Sequence, residues 1–350
     1  MQSSQRGPRA AGGTLVTVSR QGGGLEPRVD HPRSVAITGL NTFLGRRLAE
    51  RLLARPDPPR VVGIDVRRPL RLEGHVAFRR VDLTHPTADG ELASVLAKEQ
   101  VDVLVHLAFR SSPTVDLEYD HELETIGSLH VIHACSAAKV RRLVLASSTM
   151  LYGPDPTNPN FLTEDHGLAG HPDAHCIQNR VEAEHLLAAW APRHPDVEVT
   201  VLRHCWVMGP TYVDHVVRYF DRPVVPVVLG YDPLMQFVHE DDLLDVFERA
   251  TLASHPGVYN VVGRGVLPLS TLLAFAGKRS LPLPGRLLHR LASYPSQGQT
   301  GDLPAGFFDY LRYLWVADGE RGWRAFGEPV YTTKEAWISF VSSRRLRRFR

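Results

Sequence analysis

A chain of 350 residues, at ~150 residues per domain, predicts about two structural units with room for a substantial core. Forty Lys and Arg against 38 Asp and Glu leave a net charge of +2, which excludes the strongly basic face of a dedicated nucleic-acid binder. Three cysteines (Cys135, Cys176, Cys205) without a CxxC pair exclude a disulfide scaffold. No apolar run nears ~18 residues, so no spanning helix is expected. The first residues lack the apolar stretch of a secretory signal. The expectation is a soluble, cytoplasmic chain.

Residues 1–32 are rich in Gly, Ser, Gln and Arg and read as a disordered N-terminal tail, too poor in apolar surface to offset ordering entropy. Order is expected from Ser34-Val35-Ala36-Ile37-Thr38, an apolar run of the buried-strand type. A helix follows over 43–53, with Leu44, Leu48 and Leu52 on one face and Pro56 beyond its end. Strands are expected over 60–65, 76–82 and 101–106, then a helix over 122–139 and a strand over 142–147. This alternation predicts a parallel sheet covered on both faces. A Pro- and Asn-rich loop over 153–175 precedes a helix over 179–190 and a strand over 197–202. Alternation then fades over 211–235 and from 264 onward. The expected architecture is therefore α/β: a Rossmann-type doubly wound parallel sheet over 33–210, rejoined by 236–263, with a smaller C-terminal substrate lobe from 211–235 and 264–342. Five arginines in the last seven residues make 343–350 a basic tail, solvated or in contact with an anionic surface.

Chemistry concentrates first at Gly39-Leu40-Asn41-Thr42-Phe43-Leu44-Gly45. Glycines open and close a turn between a strand and a helix, where backbone must approach a ligand and helix N–H groups await a pyrophosphate. Asp65, ending the second strand, is placed to accept adenosine ribose hydroxyls and to repel a 2′-phosphate, which favours NAD. Arg67 and Arg68 follow closely and leave NADP open.

With these stand Asp82-Leu83 after the third strand and His106-Leu107-Ala108 after the fourth. Further along come Ser147-Ser148-Thr149-Met150-Leu151-Tyr152-Gly153, Leu202-Arg203 leading to Gly209-Pro210, and Gln236-Phe237-Val238-His239-Glu240-Asp241-Asp242. The ordered series resembles the extended short-chain dehydrogenases, which include NAD-dependent epimerases and dehydratases of sugar nucleotides, and spans about residues 34–341. Within that family it looks closest to actinobacterial-type proteins similar to UDP-glucose 4-epimerases. The resemblance implies NAD held by Gly39, Thr42, Phe43, Leu44, Gly45, Asp65, Asp82, Leu83, Leu107, Ala108 and Arg180, with a small-molecule substrate under the C-terminal lobe. It also implies dimerisation through a two-helix face near 121–139 and 179–190.

Four departures matter. Thr42 stands where the family carries Gly, and its side chain is expected to crowd the pyrophosphate unless the turn adjusts. Cys176 and Arg180 occupy the places of the family's Tyr and Lys, and no Tyr-x-x-x-Lys occurs in the chain. Trp206 replaces an Asn, and Gln236 an Arg, that help hold a nucleotide diphosphate. The catalytic candidates are then Ser148, to orient a substrate hydroxyl, with Cys176 and Arg180. Cys176 has a second reading as a packing residue, Ser148 as a strand-end hydroxyl bonded to backbone, and His175 and Tyr152 are further proton carriers to weigh. No metal site is expected: His130/His133 lack a third ligand and His171/His175 span Pro172. Two functions follow. One is an NAD-dependent oxidoreductase or epimerase acting on a hydroxyl-bearing, nucleotide-sugar-like substrate. The other is a catalytically impaired dinucleotide-binding protein that senses or scaffolds.

Overall fold

The computed structural model describes residues 31–69, 72, 74–110, 116–293, 303 and 305–347. Most of the expected N-terminal tail and the last three residues lie outside them. The chain runs β1 (Ser34–Thr38), α1 (Phe43–Leu53), β2 (Arg60–Asp65), β3 (Ala77–Arg80), α2 (Ala88–Lys98) and β4 (Val103–His106). There follow α3 (Leu117–His121), a π-helical turn (Glu122–Ile126), α4 (Gly127–Ala137), β5 (Arg142–Ser148), α5 (His175–Trp190), β6 (Glu198–His204) and β7 (Trp206–Met208). Next are α6 (His215–Asp221), β8 (Val224–Val228), β9 (Leu234–Met235), β10 (Phe237–His239), α7 (Glu240–Leu252) and β11 (Gly257–Val261). The chain closes with β12 (Leu267–Pro268), α8 (Leu269–Ala276), β13 (Arg279–Leu283), α9 (Gly285–Ser293), α10 (Glu320–Phe326) and α11 (Thr333–Arg347).

Seven strands form one parallel sheet in the order β11-β6-β5-β4-β1-β2-β3. Every residue of β1, β4 and β5 is buried, as continuous apolar runs between two helical layers require. Leu92, Val131 and Leu187, from α2, α4 and α5, pack one face, while Leu48, Leu52, Leu243 and Phe247, from α1 and α7, pack the other. Arg51 of α1 ties those last two helices together by pairing with Asp241, Asp245 and Glu248.

The remaining elements make a smaller C-terminal lobe of two-stranded pairs (β8 with β13, β9 with β12) and helices. An aromatic cluster welds it to the sheet: Trp206 stacks on Phe307 at 5.5 Å and meets Trp315 edge-on at 5.0 Å, and Phe237 stacks on Trp337 at 5.5 Å. Trp206 thus serves as core. α11 runs into the basic stretch as far as Arg347. Arg344 donates to the Tyr212 carbonyl and Arg345 to that of Ala276, so orphan loop and helix-end carbonyls hold this stretch down.

Candidate active site

Strand order reverses between β1 and β4, and α/β sheets of this kind take ligands in the crevice beyond the carboxyl ends of the strands at such a switch point. A cavity of about 220 Å³ lies there. The turn after β1, the chain after β4, the end of β5 and the first turns of α5 form one wall; Trp206 and the segment from Tyr212 to Val216 form the other.

The glycines of the turn answer to sterics. Gly39 has φ +70°, and a Cβ there would stand 2.6 Å from the Leu107 carbonyl oxygen and 2.7 Å from Ala108 Cα. A Cβ on Gly45 would stand 2.3 Å from the Gly39 oxygen. Leu107 and Ala108 therefore press against the turn. Thr42 lines the cavity, with its hydroxyl turned into the loop: it donates to the Gly39 carbonyl (2.8 Å) and accepts from Gly45 N–H (3.0 Å), acting as the N-cap of α1. Among the described hydrogen bonds none engages the N–H of Phe43 or Leu44, which stand at the cavity wall as helix-start donors. Asp65 accepts from Asn41 N–H (2.9 Å) and Arg67 N–H (3.2 Å), so its carboxylate is held beside the turn with further lone pairs for a ligand. Asp82 and Leu83 do not reach the cavity. Asp82 caps its own loop through Thr84, and Leu83 is core, its carbonyl accepting from His130.

Ser148 ends β5 at the cavity; its oxygen accepts from Met150 N–H (3.2 Å), and none of the described bonds uses its own proton. Its neighbour Ser147 donates instead to Glu184, which also grips Arg203 in a fork at 2.7 and 3.1 Å. Arg203 donates to the Tyr152 hydroxyl, which donates to Asn260. Tyr152 therefore belongs to a buried structural network.

Arg180 reaches the cavity, but Glu124 holds it at 2.9 Å and the Arg110 carbonyl at 2.7 Å, and its guanidinium lies over the Phe109 ring at 5.1 Å. Burial alone would weaken its positive charge; the Glu124 carboxylate more than offsets that and keeps Arg180 above its ordinary value. Glu124 itself is fully buried within the π-helical turn, a distortion frequent at functional sites. Cys176, on the first turn of α5, also lines the cavity. Burial, aided by Glu124 and opposed by Arg180, pushes its thiol up to about 12. Gln236 serves the framework: its amide accepts from Ala317 N–H (2.9 Å) and donates back to the Ala317 carbonyl (3.0 Å). His175 is exposed on α5 outside the cavity lining.

The structure adds groups the sequence reading passed over. His204 lines the cavity with Nδ1 donating to the Cys205 carbonyl (2.8 Å), and burial pushes its ring down to about 4. Tyr212 and Asp214 face the cavity from a stretch with no periodic pattern, where only the preceding Gly209-Pro210 marked a site-forming loop.

Fold and cleft together define an α/β protein of the Rossmann type. The sequence profile of the NAD dependent epimerase/dehydratase family matches residues 35–262, and the chain belongs to that family. An uncharacterised Mycobacterium tuberculosis protein is 33% identical over 327 residues, covering 90% of this chain and 85% of the relative. The fold is similar to a UDP-glucose 4-epimerase of Thermotoga maritima solved with UDP-glucose (TM-score 0.67, 16% identity, 90% of this chain and 99% of that one). It is likewise similar to MoeE5 solved with UDP-glucuronic acid and NAD (TM-score 0.68, 20% identity, 90% and 99%).

Proposed function

We propose that this protein is an NAD-dependent oxidoreductase of the epimerase/dehydratase type, acting on a hydroxyl-bearing substrate of the nucleotide-sugar kind. The observation that carries the reading is the convergence of the free helix-start N–H groups of Phe43 and Leu44 with Ser148 on one cavity at the sheet's switch point. The residues fit the cofactor: Thr42 keeps its hydroxyl inside the turn, Phe43 and Leu44 donate to phosphates, and Asp65 accepts ribose hydroxyls. Asp65 also favours NAD over NADP by charge.

Bound NAD would supply a hydride acceptor. Ser148 donates its unused proton to the substrate oxygen and orients it. Arg180, anchored by Glu124, keeps a fixed positive charge at the same wall. The substrate side is supported by neighbours in fold that were solved with UDP-sugars; against a firm diphosphate grip, Trp206 and Gln236 are committed to the framework. To test the reading, NAD-loaded protein is mixed with UDP-glucose and UDP-glucuronic acid while reduced nicotinamide is followed optically, or epimerised product by chromatography. Hydride exchange with either sugar supports the oxidoreductase. Cofactor binding without any exchange would instead favour the sensing or scaffolding role.

A second copy of the chain is proposed to dock on the two-helix face near residues 121–139 and 179–190. A solution mass of two chains is expected, and that of one chain would contradict it.

A further inference from the structure

We propose that His204 takes the substrate proton in this cleft, its Nε2 lone pair acting beside the Ser148 hydroxyl on one substrate oxygen. This rests on the hydride-transfer reading above and names the proton carrier that the reading leaves unassigned.

Register brings the two side chains together. β5 and β6 run parallel, and Ser148 is paired with His204 at their carboxyl ends. Partners in register, on strands about 4.8 Å apart, turn their side chains to the same face of a sheet. Both of these residues line the cavity.

The His204 tautomer is set by its neighbour. A carbonyl oxygen can only accept, so the 2.8 Å bond between Nδ1 and the Cys205 carbonyl puts the ring proton on Nδ1. Nε2 is left with a lone pair, and none of the described hydrogen bonds engages it. Burial lowers the ring to about 4, so at a pH of about 7 roughly one ring in a thousand carries a second proton. Ser148 is the complement: its oxygen accepts from Met150 N–H, and its own proton is unused among the described bonds. A substrate hydroxyl needs an acceptor for its proton and a donor for its lone pair. His204 and Ser148 present that pair side by side.

The other charged and titratable groups of the cavity wall do not match it. Burial holds the Cys176 thiol protonated at about 12, and it holds the Tyr212 hydroxyl protonated as well. Arg180 is fixed by Glu124 and Arg110 by Asp120 at 3.1 Å, and neither guanidinium can accept a proton. Asp214 caps α6 by accepting from Val217 N–H (2.7 Å), and it lies on the wall across from Ser148. His215 stands on that same far wall, its ring edge-on to Phe307 at 6.0 Å. None of these pairs in register with the end of β5.

In the oxidising direction the substrate O–H bond breaks and its proton passes to His204 Nε2, giving an imidazolium that still donates from Nδ1 to the Cys205 carbonyl. The C–H bond at the same carbon breaks, its electron pair leaving as hydride to the nicotinamide of NAD⁺. A C=O bond forms, its oxygen accepting from Ser148 and from Nε2–H. Reduction reverses each transfer. An imidazolium in this buried place is a strong acid, so it returns its proton readily.

Two measurements test this. Nitrogen-15 NMR of the NAD-loaded protein at a pH of about 7 reads the tautomer, with His204 assigned among the 17 histidines by its loss in His204→Gln. A proton on Nδ1 and a lone pair on Nε2 are expected, the Nε2 signal moving when UDP-glucose is added. A proton on Nε2, or on both nitrogens, would overturn the proposal. The second measurement is single-turnover hydride transfer to bound NAD⁺ from UDP-glucose or UDP-glucuronic acid. His204→Ala is expected to slow it ~10²-fold or more, with added imidazole restoring part of the rate. A rate close to wild type, or a loss that imidazole leaves untouched, would overturn the proposal while the hydride-transfer reading stands. Absence of exchange in wild type with both sugars would remove that reading and this inference together. Should His204→Ala not fold, His204→Gln, which can still donate to the Cys205 carbonyl but takes no proton, decides by the same loss of rate.

Discussion

Cys176 stands, by resemblance to the family, where a tyrosine is expected, and the structure puts it at the cavity wall. Its inertness depends on Glu124, fifty-two positions upstream, and on burial, neither of which a linear pattern carries. With its thiol at about 12, only about one Cys176 in ten thousand is thiolate at a pH of about 8. Mass-spectrometric mapping after brief iodoacetamide treatment should find Cys176 unmodified, and labelling at the pace of a free thiol would contradict this environment. Tyr212 and Asp214 were illegible for the same reason: nothing in the sequence brings them to the cavity that Arg180 lines until the chain folds. Glu184 gives the energetic counterpart. Glu184→Ala would leave Arg203 buried and unpaired and strip Ser147 of its acceptor, a loss of about 3–5 kcal/mol in urea unfolding. A loss below ~1 kcal/mol would mean that the network contributes little.

At the scale of elements, apolar runs identified six of the seven strands of the central sheet to within a few residues, most cleanly where the strand is buried on both faces; the partly exposed edge strand β11 was not among them. Helix starts were harder. The sequence suggests α5 from 179, but it begins at His175 after Ala174, a position with no side-chain cap to announce it. The expected helix over 122–139 is instead a continuous run from Leu117 to Ala137 with a π-helical turn inside, whose Glu124 pairs with Arg180 of α5. The turn between β1 and α1 offers a paired test. Gly39→Ala meets Leu107 backbone and a positive φ, and should cost at least ~2 kcal/mol and weaken cofactor binding. Gly90→Ala, in α2 with nothing within 4 Å of the added Cβ, should stabilise by about 0.5–1 kcal/mol. Equal effects in denaturant unfolding would contradict the steric account of the turn.

For the whole molecule, the sheet's burial of two histidines predicts acid sensitivity. His106 Nε2 donates to Ser128, whose hydroxyl donates to the Glu124 carbonyl, so the ring sits neutral between Ser128 and Thr38. Burial lowers His106 to about 3 and His204 to about 4. Both are depressed below the unfolded value of 6.5, so the unfolded chain binds protons first as pH falls. Their stabilisation is full above that value and is lost on descending through it, by up to about 1.4 kcal/mol per pH unit for each histidine. Thermal midpoints should therefore fall between about pH 6.5 and 4. His106→Asn, compared with wild type over the same range, should show a shallower fall; an equally steep one would place the acid sensitivity elsewhere. No described helix is long and apolar enough to cross a membrane.

Whether the β1–α1 turn and Asp65 hold NAD at the switch point of the sheet is decided by calorimetric titration of the full chain with NAD⁺ and NADP⁺, repeated on Asp65→Ala. Saturable binding at one site per chain is expected, tighter for NAD⁺ than for NADP⁺, with that preference reduced in Asp65→Ala. Absence of binding heat for either cofactor, or a preference unchanged by the substitution, would contradict it.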